Sequence, residues 1–365
     1  MSQVGFPITI EAITPEWLTT ALRDSGALSK GRVTGFTATP LGAGVGFMSA
    51  MRRLNLTYDK AEGGGPASLI AKLPPPDPGS RTIDEAFNFY EKEVGFYRNI
   101  APSTPMRTPK AHFSAYDPAT RDFAVLLEDL APLQVGDQLD GLSADHLALA
   151  LKGAAGLHGR WWRDPSLPRM DWLLGMDSPQ MRQLQPIYQQ CWPAVVNFLG
   201  DDMPAEMRRI GDRFATRIHG VMDLLMRQPQ TVVHGDYRAD NLFFGAPGDA
   251  DGFAVADWQI CMKWGGALDI AYLLTGSVDI DVRRTHETDL LTLYHQTLLQ
   301  KGGRDYPFEA FREDYIACVM LAWCWPVIAI GNLDTANDRG VALFRTWSAR
   351  AMAAVLDLDA QARIP

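Results

Sequence analysis

Two short stretches concentrate the residue types that do chemistry. One is Val232-Val233-His234-Gly235-Asp236-Tyr237-Arg238-Ala239-Asp240-Asn241-Leu242-Phe243-Phe244, and the other is Phe253-Ala254-Val255-Ala256-Asp257-Trp258-Gln259. Residues 242–244 and 253–256 read as apolar strands, and 245–252, with Pro247, Gly248 and Asp249, reads as the turn between them. Asn241 and Asp257 are equidistant from Asp249, so this reading sets them opposite each other at the open end of a hairpin. An amide oxygen beside a carboxylate suits a hard, oxygen-seeking cation such as Mg²⁺. Asp236 falls on the loop entering the hairpin and is the candidate general base. Asp and Asn are also ordinary turn residues. Two oxygen ligands at matched positions, together with the His-x-Asp-x₄-Asn spacing, favour the chemical reading.

The elements that must position these groups change character along the chain. Thr14 caps a helix opened by Pro15 and Glu16 and ended by Gly26. Strand-like segments follow at 33–41, 53–58, 68–73, 111–116 and 123–127, with one helix predicted over 84–100. Pro132, Gly136 and Gly141 mark a boundary at about 130–142. Helices are then expected over 143–162 (capped by Ser143), 181–199, 205–228 and 268–356, interrupted only by the strand-turn-strand segment at 231–258. The outline is a small antiparallel sheet with one helix at 1–130, then a larger, mostly helical part at 131–365.

Composition agrees. At 365 residues the chain exceeds the usual limit of about 250–300 residues for a single core. Its 47% hydrophobic and 21% charged residues exclude disordered and collagen-like classes. A net charge of −9 makes nucleic acid and anionic membranes poor partners. Cys191, Cys261, Cys318 and Cys324 form no CxxC pair and read as reduced, buried thiols. The N-terminus lacks the pattern of a signal peptide, and the apolar run at 321–330 reads as too short to span a bilayer, so a soluble, cytoplasmic protein is expected.

The residues HGDYRADNLFF at 234–244, ADWQ at 256–259 and GGALDIAYLL at 265–274 resemble the aminoglycoside/choline-kinase-like phosphotransferase superfamily, especially its ecdysteroid-kinase-like members. SLIAKLP at 68–74 looks like that family's lysine strand, EKEVGFYRN at 91–99 like its glutamate helix, LLEDL at 126–130 like its connector between lobes, and LGAGVGFMS at 41–49 like its phosphate loop. The resemblance implies an α+β, bilobal protein-kinase-like fold and a Mg²⁺-dependent small-molecule kinase moving the γ-phosphoryl group of ATP to a hydroxyl. It implies that Gly42, Gly44 and Gly46 cover the phosphates, that Lys72 held by Glu93 grips them, and that adenine meets backbone groups at Glu128 and Leu130. It implies Asn241 and Asp257 as metal ligands and Asp236 as base.

Residue-level reasoning runs alongside. A lysine inside an apolar strand demands a partner for its charge, although an edge-strand lysine can simply deter aggregation. Glu93 sits among Phe89, Tyr90, Phe96 and Tyr97, an odd setting for a solvated acid, with Glu85 and Glu91 as competitors. Arg238 either stabilises the transferring phosphoryl group or bonds a neighbour such as Asp240. His234 and His158 read as packed residues, and Asp269 as an acceptor for backbone donors around the loop. Gln259 replaces the glycine of the protein-kinase metal motif, Gly235 replaces the arginine before the aspartate, and no Ala-Pro-Glu follows, which disfavours a phosphorylation-gated protein kinase. A non-catalytic nucleotide-binding protein and a metal-dependent hydrolase using His234, Asp236 and Asp257 are the alternatives. Trp161, Trp162, Trp172, Trp192, Trp323, Trp325 and Trp347 suggest either an aromatic acceptor wall or plain helix core. The motifs leave oligomeric state and acceptor identity open.

Overall fold

The computed structural model describes residues 5–41, 49–60, 64–75, 84–85, 87–246, 249, 252–332 and 338–365. The chain divides into two units. One comprises Met1–Ser103, Arg107–Leu133 and Ala256–Gln259, and the other Thr104–Met106, Gln134–Val255 and Ile260–Pro365.

In the first unit, helix α1 (Pro15–Asp24) starts where Thr14 Oγ1 accepts the Trp17 amide at 3.1 Å, and it ends at Gly26 with φ +71°. Strands β1 (Val33–Pro40), β2 (Ala50–Tyr58) and β3 (Ser68–Leu73) precede helix α2 (Phe89–Gly95), and β4 (Ala111–Tyr116) and β5 (Phe123–Glu128) follow it. They form one antiparallel sheet in the order β1-β2-β3-β5-β4. Alternation along β3 sends Leu69, Ala71 and Leu73 into a core shared with Leu18 and Leu22 of α1 and with Leu54, Ala124 and Leu126. Lys72 therefore belongs to the opposite face of the same strand.

The helix expected over 84–100 is not continuous. Asn88 adopts φ +55°, α2 runs only to Gly95, and residues Phe96–Ile100 continue as a π-helical turn. Asn tolerates the left-handed region better than most residues, so the break falls where the sequence permits it.

The second unit is mainly helical. Strand β6 (Gln134–Val135) leads to helices α3 (Ala144–Arg160), α4 (Leu184–Leu199), α5 (Ala205–Phe214) and α6 (Ile218–Leu225). The 205–228 expectation thus splits at residues 215–217. Strand β7 (Gln230–Val233) enters the loop carrying Asp236. Strands β8 (Leu242–Phe244) and β9 (Phe253–Val255) form the expected hairpin, with β6 added beside β8. Strand β10 (Met262–Gly265), which the sequence reading had no strand for, pairs with β7. Helices α7 (Ala267–Gly276), α8 (Ile280–Gln300), α9 (Phe308–Ala322), α10 (Cys324–Gly331) and α11 (Asp338–Asp357) complete the unit. The continuous stretch Phe308–Gly331 is long and apolar enough to cross a bilayer by length and composition, which corrects the reading of 321–330 alone; 72% of its most apolar window is buried inside the fold, as in a core helix.

The end of β5 is tied down by one carboxylate. Asp129 accepts from Arg53 Nε at 2.7 Å, Ser68 Oγ at 2.7 Å and the Ala131 amide at 3.0 Å, joining β2, β3 and the segment after β5. Burial opposes this charge, but the donors outweigh it and hold the Asp129 carboxyl below its ordinary value. A depressed folded-state pKa contributes stability that is present above the unfolded value and lost as pH falls through the folded one. Asp129→Asn is expected to lower unfolding free energy by about 1–3 kcal/mol at neutral pH, with the gap to wild type closing under acid. Urea titrations at pH 7 and pH 3 measure it, and a gap that does not narrow contradicts the assignment.

Candidate active site

Helix α7 anchors the loop that carries Asp236. The Asp269 carboxylate, 0% exposed, accepts the His234 amide at 2.7 Å and the Gly235 amide at 2.9 Å. His158 Nε2 lies 3.1 Å from the same carboxylate, and His158 Nδ1 lies 2.8 Å from the Tyr294 hydroxyl. The turn needs glycine at 235: φ is +80°, and a Cβ there would stand 2.6 Å from the Ile260 carbonyl oxygen and 3.0 Å from Met262 Cε. His234, fully buried, accepts the Asp236 amide on Nδ1 at 3.2 Å, so it shapes the loop from inside.

Three donors converge on the Asp236 carboxylate. The Tyr272 hydroxyl donates to Oδ1 at 2.6 Å, Asn241 Nδ2 donates to Oδ2 at 2.9 Å, and Arg238 Nε lies 3.2 and 3.3 Å from the two oxygens. Asn241 Nδ2 also donates to the Asp236 carbonyl at 2.8 Å, so the side-chain amide is held at two points. Arg238 Nη1 donates to Asp240 at 2.5 Å and to Gln138 Oε1 at 3.0 Å. Burial works against the guanidinium charge, yet Asp236, Tyr272 and Asp240 raise its pKa above the ordinary arginine value.

The first unit assembles a second group. Lys72, 3% exposed, donates from Nζ to Glu93 Oε1 at 2.6 Å and to Asp257 Oδ1 at 3.0 Å. Burial disfavours the ammonium, but Asp257 and Glu93 together hold its pKa above the usual lysine value. Asp257 has φ +67°, in the sparsely populated left-handed region, and the next residue, Trp258, stacks on Phe96 at 3.7 Å between centroids and 5° between planes. The Phe96 ring comes from the π-helical turn that follows Glu93, so the turn and the lysine hold the segment Ala256–Gln259 at adjacent points.

Several expectations are refined. A hairpin symmetric about Asp249 would pair Leu242 with Ala256; the observed register pairs Leu242 with Val255, one residue away. Arg238 makes ion pairs with both Asp236 and Asp240. The Glu128 amide donates to the Lys110 carbonyl at 2.8 Å, and its carboxylate accepts from Arg107 at 2.7 Å and from the Lys110 amide at 3.1 Å, so its N–H and side chain are committed within the fold. The carbonyl of Leu130 accepts the Leu133 amide, so its own N–H is the group to consider there. Gly42, Gly44 and Gly46 lie outside the described residues. Trp161, Trp162, Trp192, Trp323 and Trp347 are buried as core, whereas Trp172 and Trp325 are part exposed. Tyr272 and Gln138 were missed by sequence reasoning. Tyr272 stands three residues after Asp269, on the same helix face, and that spacing was the available signal. Gln138 left none.

Residues 43–303 match the Ecdysteroid kinase-like family. No curated protein matches the chain. Among solved structures, the microcompartment-associated aminopropanol kinase covers 95% of this chain and 100% of its own at 13% identity and a TM-score of 0.54. A choline/ethanolamine kinase family protein from Mesorhizobium loti covers 91% and 92% at 14% identity and a TM-score of 0.51. The GDP complex of aminoglycoside 2'-phosphotransferase-IIIa covers 96% and 99% at 12% identity and a TM-score of 0.51. At these identities the likeness is one of fold, and it is the α+β kinase-like fold.

Asp269 is the anchor of the loop, so Asp269→Ala leaves two buried N–H groups without acceptors. A loss on the order of 3–5 kcal/mol is expected in chemical denaturation, together with faster hydrogen exchange at the His234 and Gly235 amides. Unchanged protection of those two amides would remove Asp269 from this role.

Proposed function

Because this chain belongs to the ecdysteroid kinase-like family, we propose that it is an ATP-dependent phosphotransferase acting on a hydroxyl group of a small molecule. The observation that carries the reading is the buried Lys72 ammonium bonded at once to Glu93 and Asp257, a cluster of ionisable groups of the kind that serves phosphoryl transfer. In this reading Lys72, oriented by Glu93, neutralises ATP phosphates, and the glycines at 42, 44 and 46 cover them with backbone N–H groups. The carbonyl of Glu128 and the N–H of Leu130 meet the adenine.

The donor set fits Mg²⁺. Asn241 Oδ1 and the Asp257 carboxylate are hard oxygens, and they would hold the ion with phosphate oxygens and water supplying its other ligands. Bound there, Mg²⁺ would offset the phosphate charge. Among the described residues no group of three or more His, Cys, Asp or Glu could hold a metal, which leaves the hydrolase alternative without a ligand set.

Asp236 orients the acceptor hydroxyl and takes its proton as the new O–P bond forms. The bond from the γ-phosphorus to the bridging oxygen breaks, and ADP leaves with that electron pair. Arg238, whose Nε and Nη1 are committed to Asp236, Asp240 and Gln138, has Nη2 left to meet charge on the transferring group. Such a reaction rests on positioning and electrostatics more than on covalent chemistry by the protein.

ADP release screened across small-molecule alcohols tests the activity; a chain that binds Mg²⁺-ATP and never turns over is the non-catalytic alternative. Asp236→Asn is expected to cut turnover by about 10²–10⁴-fold with nucleotide affinity unchanged in calorimetry; full activity in that variant removes Asp236 as base. Asp257→Ala is expected to weaken Mg²⁺-ATP binding by at least about tenfold, and an unaltered dissociation constant would exclude Asp257 from the nucleotide site.

A further inference from the structure

Helix α7 touches the catalytic-loop region twice. Through Asp269 it accepts the backbone N–H groups of His234 and Gly235, and one turn later, through the Tyr272 hydroxyl, it donates to the Asp236 side chain. Every residue of this helix, Ala267–Gly276, is buried, so both contacts start from a rigid base. The other two donors to the Asp236 carboxylate, Arg238 and Asn241, stand within five residues of it and move with the loop. Tyr272 is the one of the three whose position is set independently. Its ring is fixed in turn by Trp325, edge-on at 5.6 Å, and by Trp347 at 5.6 Å and 59°. Both tryptophans lie beyond residue 303, outside the stretch that matches the family.

Arg238 alone would not hold Asp236 in one orientation. Its Nε sits almost equally far from both carboxylate oxygens, at 3.2 and 3.3 Å, so it supplies charge with little preference between them. The Tyr272 bond at 2.6 Å is directional and reaches Oδ1 only. It leaves Oδ2, shared with Asn241, as the oxygen on which an acceptor proton can arrive.

We propose that Tyr272 is a positioning residue for phosphoryl transfer, its hydroxyl locking the Asp236 carboxylate in the rotamer that presents Oδ2 to the acceptor. The role rests on the phosphotransferase reading above and adds to it a part for α7 that the motif residues do not contain. Asp269 places the backbone and Tyr272 places the side chain, through different atoms of the same helix.

Tyr272→Phe keeps the ring and its tryptophan contacts and removes only the hydroxyl. With an acceptor from the alcohol screen, kcat is expected to fall about 10–100-fold, with KM for ATP, calorimetric Mg²⁺-ATP affinity and thermal midpoint unchanged. A purely structural tyrosine would instead lower the midpoint and leave kcat per folded molecule intact, and that result overturns the proposal. Wild-type protein should also show a downfield hydroxyl proton in its NMR spectrum that disappears in Tyr272→Phe and shifts in Asp236→Asn. Its absence from wild type overturns the bond itself, even where the variant fails to fold. A wild type that releases no ADP with any alcohol defeats the phosphotransferase reading and this role with it, whereas an active wild type matched by Tyr272→Phe defeats the role alone.

Discussion

A lysine ammonium cannot remain buried in a β-sheet without counter-charge, and this requirement organises the first unit. Desolvation would otherwise drive Lys72 to lose its proton or the strand to turn over. Two carboxylates prevent it: Glu93 from helix α2 and Asp257 from a segment far along the chain. The demand is also structural information. It fixes which way α2 rotates against the sheet, and with the Phe96–Trp258 stack it makes residues Ala256–Gln259 part of this unit.

The second unit applies the same logic with the signs reversed. Asp269 is a fully buried anion whose neighbours are backbone N–H groups and the His158 ring. Those N–H groups belong to a turn too tight for a side chain at 235, so they cannot find partners within a helix or strand. One carboxylate on a rigid helix thus satisfies the two loop donors, the His234 and Gly235 amides, while the Asp236 amide is met inside the loop by His234 Nδ1. The loop carries the Asp236 side chain, 13% exposed, with Arg238 supplying the neutralising charge. In protein kinases an arginine precedes this aspartate. Here Gly235 holds that place, and the aspartate's ion pair is with Arg238, two residues after it.

Local pattern carried the secondary structure well wherever one element decides for itself. The Thr14 and Ser143 caps, the alternation of β3 and the β8–β9 hairpin all follow from residue chemistry at short range. Pattern failed where a tertiary contact overrules it. The helix at 84–100 breaks at Asn88, whose side chain Arg121 reaches from across the fold. Strand β10 exists because β7 offers an edge to it, and four residues reading Met-Lys-Trp-Gly announce no strand on their own. The hairpin register slipped by one because turn geometry, and not symmetry about Asp249, sets which residues pair.

Sequence by itself determined the chemical inventory. An aspartate, an asparagine and a second aspartate at fixed spacing, with a lysine stranded in an apolar run, name the groups because spacing along a loop and a strand limits what they can reach. Tertiary structure alone decided which groups hold those residues in place. Glu93 rather than Glu85 or Glu91 bonds Lys72, Gln138 spans 100 residues to Arg238, and Tyr272 crosses from α7 to Asp236. Hydrogen bonds and ion pairs act over about 3 Å of space whatever their separation in the chain, so their partners emerge only once the backbone has folded.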